Sequence, residues 1–432
     1  MPNKAMHAMS HGHKGGLSRF AGIILITLLA ICSTVPGAQP ITHVIHISVD
    51  GLRPDAITAL GPSNLPNFYR LRTEGAFTDN ARSDYDYTVT LPNHCSQLTG
   101  RGVLGPTGHN WTNNTEPLPG ETLASNKGSY VAGVFDVVHD HGLSTGEYAS
   151  KPKFSLFATS WNETNGEPDV IGPDNGRNKI DVYLNVEDTA ELVNALVDDL
   201  SRQPLNYTFL HLADPDPIGH TYGWDITPGS EYSDAIKVID ERLGEIFDLI
   251  DSDSRFAGHT AILLTADHGG SGTDHADPAL REDYTVPFYV WGPSVMAGAE
   301  LYRLNPTDRL DPGTNRPTYW DPVQPIRNGE AANVALKLLG LGPVPGSTIG
   351  VAQDLALMIP SGDFRVFFLG TNAALAFNTV SNVLYDIQTS ADLSPDSWRD
   401  LTNNLVGFGG MITNLDTGAA IASRFYRLRM HF

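Results

Sequence analysis

Three apolar, β-type stretches of this chain break off in the same way. Val44–Val49 runs into Asp50 and Gly51. Tyr207–Leu212 runs into Ala213, Asp214, Pro215 and Asp216, then on to Gly219 and His220. Thr260–Thr265 runs into Ala266, Asp267, His268 and Gly269. Helix-like segments lie between them, among them Leu65–Glu74, Thr189–Ser201 and Ser233–Ile250. In the last of these, Ala235, Ile236, Val238, Ile239, Leu243, Ile246 and Phe247 recur at helical spacing. Strands that alternate with helices pack as a parallel sheet covered on both faces. The expected fold class is therefore α/β, a doubly wound, mostly parallel sheet. In such a sheet the carboxyl ends of neighbouring strands line one crevice. Asp50, Asp216, His220, Asp267 and His268 can thus converge although far apart in sequence. A single Asp-Gly after a strand is usually only a turn. Three runs ending in aspartate, two of them with histidine, point to a divalent metal ion such as zinc.

The segment Tyr87–Gly100 adds a hydroxyl. Thr90 stands two residues before Pro92, the pattern of a helix start, where unpaired backbone N–H groups favour anions. A threonine there ordinarily does no more than cap the helix. As a nucleophile it needs a metal or a base to lower its pKa. A metal pair would supply that and would also clamp the attacking and leaving oxygens of a phosphoryl centre.

Charge points the same way. With 49 acidic against 28 basic residues the net charge is −21, which argues against nucleic acid or an anionic membrane as the main partner. Acid-rich enzymes that act on phosphates import metal ions to supply the missing positive charge. Residues 1–38 carry Lys4, Lys14 and Arg19, no acid, an apolar run from Phe20 to Ile31 and a small-residue stretch to Ala38. That is the layout of a secretory signal peptide, and the run is short of the roughly 20 apolar residues that span a bilayer. Export to a periplasmic or extracellular location is expected, with no stable membrane anchor after cleavage. Cys95 is then the only cysteine left, so no intrachain disulfide can form. At the other end, lysine and glutamate disappear, and short apolar runs (Arg365–Leu369, Val383–Ile387, Arg424–Leu428) alternate with turn residues. Residues 361–432 read as a small all-β module with a role in attachment, export or stability, and residues 39–360 as the α/β domain.

Taken in order, Val49-Asp50-Gly51-Leu52-Arg53-Pro54-Asp55, Thr90-Leu91-Pro92-Asn93-His94, Asp216 to Gly223 and Thr265 to Gly269 closely resemble the type I phosphodiesterase/nucleotide pyrophosphatase branch of the alkaline phosphatase superfamily. The likeness covers residues 42–295. It implies an alkaline phosphatase-like fold and two zinc ions. Asp50, Thr90, Asp267 and His268 would hold one, Asp216 and His220 the other, and Thr90 would be transiently phosphorylated. The second metal needs one more histidine in this family. His275 is the candidate, because the only later histidine is His431. Its spacing departs from the branch: six residues separate it from His268, an arrangement closer to phosphopentomutase-type relatives, which loosens any inference to nucleotides. The resemblance also calls for an asparagine near the phosphoryl oxygens. In Gly108-His109-Asn110-Trp111-Thr112-Asn113-Asn114 the best match is Asn114, with Asn113 its rival; a turn-capping role is the alternative.

His43, His46 and His211 fall inside strand runs and read as core or supporting groups; His94 reads as a support for the helix of Thr90. Lys151 follows a strand-like run and could touch a substrate. Arg82 and Arg101, the arginines nearest Thr90 in sequence, offer no obvious clamp for a doubly charged phosphate. The expected activity is hydrolysis of a small phosphoric ester, first a phosphodiester or nucleotide pyrophosphate. The alternatives are a phosphomonoesterase or phosphonate hydrolase on the same scaffold, or a surface- or carbohydrate-binding protein with an inert metal site. The Cys/Ser-x-Pro-x-Arg maturation motif of sulfatases is absent around Thr90.

Overall fold

The computed structural model describes residues 40–171, 176–358, 364–369, 372–380, 383–408, 410–418 and 424–431. The expected signal peptide and the expected domain boundary at residues 360–361 lie outside these. Among the described residues no helix is long and apolar enough to cross a membrane.

The first eight strands form one sheet: β1 (His43–Val49), β2 (Ala76–Arg82), β3 (Thr145–Ala149), β4 (Val182–Asn185), β5 (Tyr207–Leu212), β6 (Thr260–Thr265), β7 (Thr285–Trp291) and β8 (Ala299–Glu300). They lie in the order β4-β3-β5-β1-β6-β7-β2-β8. Of these, β7 alone runs antiparallel to both its neighbours. This is the mostly parallel, alkaline phosphatase-like sheet expected from the alternation of elements. The three sequence runs are its centre: β1 lies between β5 and β6, with Ser48 paired to His211 on one side and Thr265 on the other. Every residue of β1, β5 and β6 is buried. That burial is why these strands are continuously apolar rather than alternating. Because the three strands point the same way, Asp50, the Ala213–Asp216 turn and Asp267 emerge side by side.

Helices secure the strand ends. Glu231–Ser252 buries Ile236, Ile239, Leu243, Ile246, Phe247 and Ile250 along one stripe, each worth about 1.5–3 kcal/mol of transfer from water. Its start is capped by the Ser230 hydroxyl, which accepts from the Ser233 N–H. Pro215–Tyr222 starts directly after β5, which puts Asp216 and His220 one helical turn apart on the same face.

The terminal strands are β9 (Arg365–Leu369), β10 (Asn372–Asn378), β11 (Leu384–Ser390), β12 (Arg399–Val406), β13 (Met411–Asp416) and β14 (Phe425–His431). They form two antiparallel three-stranded sheets, β13-β10-β9 and β12-β11-β14, as the all-β reading expected.

Candidate active site

Asp50 leaves β1 just before Gly51, whose φ of 69° turns the chain sharply. The Gly51 N–H donates to Asp267 Oδ1 at 3.1 Å, and the His268 N–H donates to the same oxygen at 2.9 Å. Asp267 is thereby fixed with Oδ2 aimed at His268 Nε2, 3.1 Å away. Asp50 Oδ1 lies 3.4 Å from that nitrogen and Thr90 Oγ lies 3.5 Å from it. Across the crevice, Asp216 Oδ1 sits 3.5 Å from His220 Nε2 and 3.7 Å from His275 Nε2. The ligand atoms of each set, Asp50–Asp267–His268 and Asp216–His220–His275, fall within 4.8 Å of one another. The His268 and His275 rings stack at 3.6 Å, so the two sets abut.

Do these groups fit metal ions? Asp50 Oδ1, Asp216 Oδ1 and Asp267 Oδ2 are all buried without a hydrogen-bond partner. A buried carboxylate oxygen left unpaired is costly unless something else satisfies it. The three histidines are oriented to match. Nδ1 of His268 bonds Gly269 O, that of His220 bonds Thr273 O, and that of His275 bonds Thr88 O, at 2.8, 3.1 and 2.6 Å. With Nδ1–H donated to a carbonyl, Nε2 is the nitrogen turned toward the carboxylates in each ring, a lone pair once any proton on it is lost, which is how metal-binding histidines are usually held. The donor set therefore fits two divalent ions bound through oxygen and nitrogen, as zinc accepts.

His275, the ligand with unusual spacing, is tied into the site twice. Thr88 Oγ donates to His275 O at 2.6 Å, while His275 Nδ1 meets Thr88 O. Trp224 supports both histidines of that set, its ring 5.1 Å from His220 and 5.8 Å from His275. A Cβ on Gly219 or Gly270 would come within 2.4 or 2.3 Å of this indole, which accounts for the glycine of the Asp216–His220 motif.

Thr90 is the first residue of the helix Thr90–Thr99. The capping position belongs to Val89, so the threonine hydroxyl is not consumed as a cap. Asn114 Oδ1 accepts from the Leu91 N–H at 2.8 Å, beside Thr90. Asn113 instead turns its carboxamide oxygen back to Thr115 N–H. His94 supports the helix from below, Nδ1 to Thr90 O and Nε2 to Ser48 Oγ, both at 2.8 Å. Of the strand histidines, His211 reaches Asp50 Oδ2 at 3.0 Å and is a supporting group, whereas His43 and His46 bond Leu205 O and Tyr207.

The positive charge at the site comes from lysine rather than arginine. Arg82 is spent on Gly313 O, Asn315 O and Asn80, and Arg101 reaches Pro345 O, so the nearest arginines in sequence face elsewhere. As expected, neither arginine clamps the site; two lysines past the end of β3 stand there instead, among them Lys151, the residue singled out in the sequence. Lys151 Nζ lies 2.6 Å from both Asp50 Oδ2 and Asp216 Oδ2, bridging the two ligand sets. Lys153 Nζ lies 3.2 Å from Asn114 Oδ1. The signal was present but weak: β3 is one more strand ending at the same crevice.

Charge and burial act against each other here. Burial alone would raise the Asp50 carboxyl, but Lys151, His211 and His268 hold it well below the usual range. Burial would likewise lower His268, but Asp267 and Asp50 raise it to about 9. Burial, reinforced by the neighbouring His268, lowers His275 to about 3, so it stands neutral. Burial would lower Lys151, yet Asp50 and Asp216 raise it above an ordinary lysine.

A parallel α/β sheet with a threonine at a helix start between two acid–histidine sets is the architecture of the alkaline phosphatase superfamily. Within it, the chain belongs to the type I phosphodiesterase / nucleotide pyrophosphatase family, which matches residues 44–311. Among curated proteins, GPI ethanolamine phosphate transferase 1 of Emericella nidulans is 26% identical over 354 residues, 73% of this chain and 34% of that protein. A 2,3-bisphosphoglycerate-independent phosphoglycerate mutase of Staphylococcus saprophyticus is 36% identical over 93 residues, 22% of this chain and 15% of that one. The chain thus spans about a third or less of the curated relatives it matches. Murine ectonucleotide pyrophosphatase / phosphodiesterase 5 superposes with a TM-score of 0.49 at 15% identity, over 73% of this chain and 100% of that structure.

Proposed function

We propose that this chain is an exported hydrolase of phosphoric esters in which Thr90 is the nucleophile. The observation that carries the reading is the Thr90 hydroxyl, uncommitted as a cap and 3.5 Å from His268 Nε2, in a site that also holds three buried carboxylate oxygens with no hydrogen-bond partner. Bound by Asp50, Thr90, Asp267 and His268 on one side and Asp216, His220 and His275 on the other, two zinc or similar divalent ions would supply hydroxyl deprotonation and charge neutralisation. The protein's own groups do the rest. Thr90 Oγ attacks phosphorus, the ester oxygen departs, and the phosphoryl group rests on Thr90. Water then attacks that phosphorus, freeing the phosphate product and restoring the hydroxyl. Asn114, its Oδ1 held by the Leu91 N–H and by Lys153, would offer its amide N–H groups to the non-bridging oxygens.

The first reading of the substrate is a phosphodiester or nucleotide pyrophosphate bond, in keeping with the family. One observation favours a second, a phosphomonoester or phosphonate: Lys151 stands between Asp50 and Asp216 and Lys153 beside Asn114, where they would supply the extra positive charge that a doubly charged group requires. The relatives named as ethanolamine phosphate transferases suggest a variant in which an alcohol replaces water at phospho-Thr90.

The test is kcat/KM, with zinc, for bis-p-nitrophenyl phosphate, p-nitrophenyl phosphate, phosphonoacetate and a nucleoside triphosphate, with and without an alcohol acceptor. Exhaustive chelation and Thr90→Ala should each abolish turnover, and zinc should restore the chelated enzyme. A tenfold preference for the monoester, about 1.4 kcal/mol of discrimination, would replace the first reading by the second. Full activity in metal-free protein would end the proposal. N-terminal sequencing of the protein recovered outside the cytoplasm tests export, and an intact Met1 there would count against cleavage.

A further inference from the structure

Asn328 belongs to none of the motifs. It sits on the single turn Asn328–Glu330, 61 residues after Asp267, with its side chain buried. Its Nδ2 is 3.1 Å from Ala266 O, 3.2 Å from Asp267 O and 3.1 Å from Asn93 Oδ1. All three neighbours are acceptors, so the carboxamide can be oriented only one way: reversed, its oxygen would face three oxygens. Asn93, also buried, is one turn beyond Thr90. Its Nδ2 donates to Tyr87 O at 2.8 Å and Val89 O at 3.1 Å, and its Oδ1 accepts the Asp84 N–H at 2.8 Å.

The two carboxamides therefore join three things that come from distant parts of the chain. These are the segment Asp84–Val89 leading to the nucleophile, the first turn of the nucleophile's helix, and the end of β6 that presents Asp267 and His268. No backbone ladder connects the helix to that strand end, so their spacing depends on side chains. We infer that Asn93 and Asn328 are a positioning pair that sets the Thr90 hydroxyl relative to Asp267 and His268. The inference rests on the reading of Thr90 as nucleophile. Misplacing a reacting group by about 1 Å can cost on the order of 100-fold in rate.

The experiment uses the full-length, zinc-loaded protein and the best substrate of the panel above. Asn328→Ser should lower kcat about 10- to 100-fold while KM changes less than about threefold and two zinc ions per chain are retained. Asn93→Ala with Asn328→Ala should cost no more in kcat/KM than the worse single variant, because the pair acts as one unit. Asn328→Asp adds a readout that simple destabilisation does not move. Its carboxyl can donate only when protonated, so its kcat relative to wild type should rise as pH falls, at temperatures well below melting. This isosteric variant carries the test if Asn328→Ser does not fold. A kcat within twofold of wild type in Asn328→Ser, or additive losses in the pair, would overturn the positioning role while Thr90→Ala remains inactive. Turnover surviving in Thr90→Ala would remove the nucleophile itself, and the role given to the pair with it.

Discussion

Replacing Lys151 by methionine keeps the length of the side chain and removes one charge from the middle of the site. In the metal-free protein its ammonium bridges Asp50 and Asp216 at 2.6 Å, with both carboxylates almost wholly buried. Removing one partner of a buried ion pair costs about 3–5 kcal/mol, because the other charge is left uncompensated. In a folded unit of roughly 400 residues, with about 2.1 cal/mol/K of unfolding entropy per residue, that is a fall in Tm of about 4–6 °C. With zinc in excess the ions take over the neutralising role. The loss should then shrink toward one charged hydrogen bond, about 1.5 kcal/mol or 2 °C. The pH dependence has a definite sign. Lys151, raised above its unfolded value of 10.5, contributes fully below that pH. Asp50, depressed below 3.8, contributes above that pH and loses its contribution as pH falls through its lower folded value. The difference in Tm between wild type and Lys151→Met should therefore be flat from pH 6 to 9 and close in acid. Differential scanning calorimetry with EDTA and with zinc measures both. A metal-free Tm within a degree of wild type would show that the ammonium does not hold the two carboxylates together.

Other outcomes are equally direct. His275→Ala should reduce bound zinc from two to one per chain by atomic absorption; two ions retained would mean that another group completes the Asp216–His220 set. Zinc uptake should release close to one proton from His268 at any pH below about 9, seen by calorimetry in buffers of different ionisation enthalpy, and no release at pH 7 would contradict the raised pKa of that ring. Glu147 is buried in β3 with neither carboxyl oxygen bonded, and burial raises its pKa well above 4.5. A carboxyl raised on folding makes the protein lose stability as pH climbs past the unfolded value, by up to about 1.4 kcal/mol per unit, so Glu147→Gln should gain Tm relative to wild type between pH 5 and 8. Protein ending near Pro360 should keep its turnover of small esters, since no ligand of either set lies beyond it; a truncation that folds and binds zinc yet is inactive would refute this.

Much of the site was legible because a parallel sheet has a simple rule. Strands buried on both faces are continuously apolar, and their carboxyl ends share one edge, so Asp50, Asp216 and Asp267 announce themselves where apolar runs stop. Asp216 and His220 are four residues apart, which any helix turns into neighbours. Thr90 before Pro92 marks a helix start by backbone geometry alone. These inferences need only local periodicity and one topological rule. Lateral order and side-chain direction obey no such rule. That β3 lies beside β5, bringing Lys151 between Asp50 and Asp216, depends on a strand order unrelated to sequence order. Arg82 and Arg101 are closer to Thr90 along the chain yet point away, because each satisfies backbone carbonyls elsewhere. The ring orientation of the three histidines is decided by carbonyls at Thr88, Gly269 and Thr273, two of them outside the histidine's own neighbourhood in sequence. Asn328 joins the site only because a turn far downstream packs against the end of β6. The amino-acid order thus determined which groups stand at the ends of the strands, since that follows from burial and period. Only the tertiary structure decided which of them touch, because contact between distant segments is set by how strands and helices pack, not by where they fall in the chain.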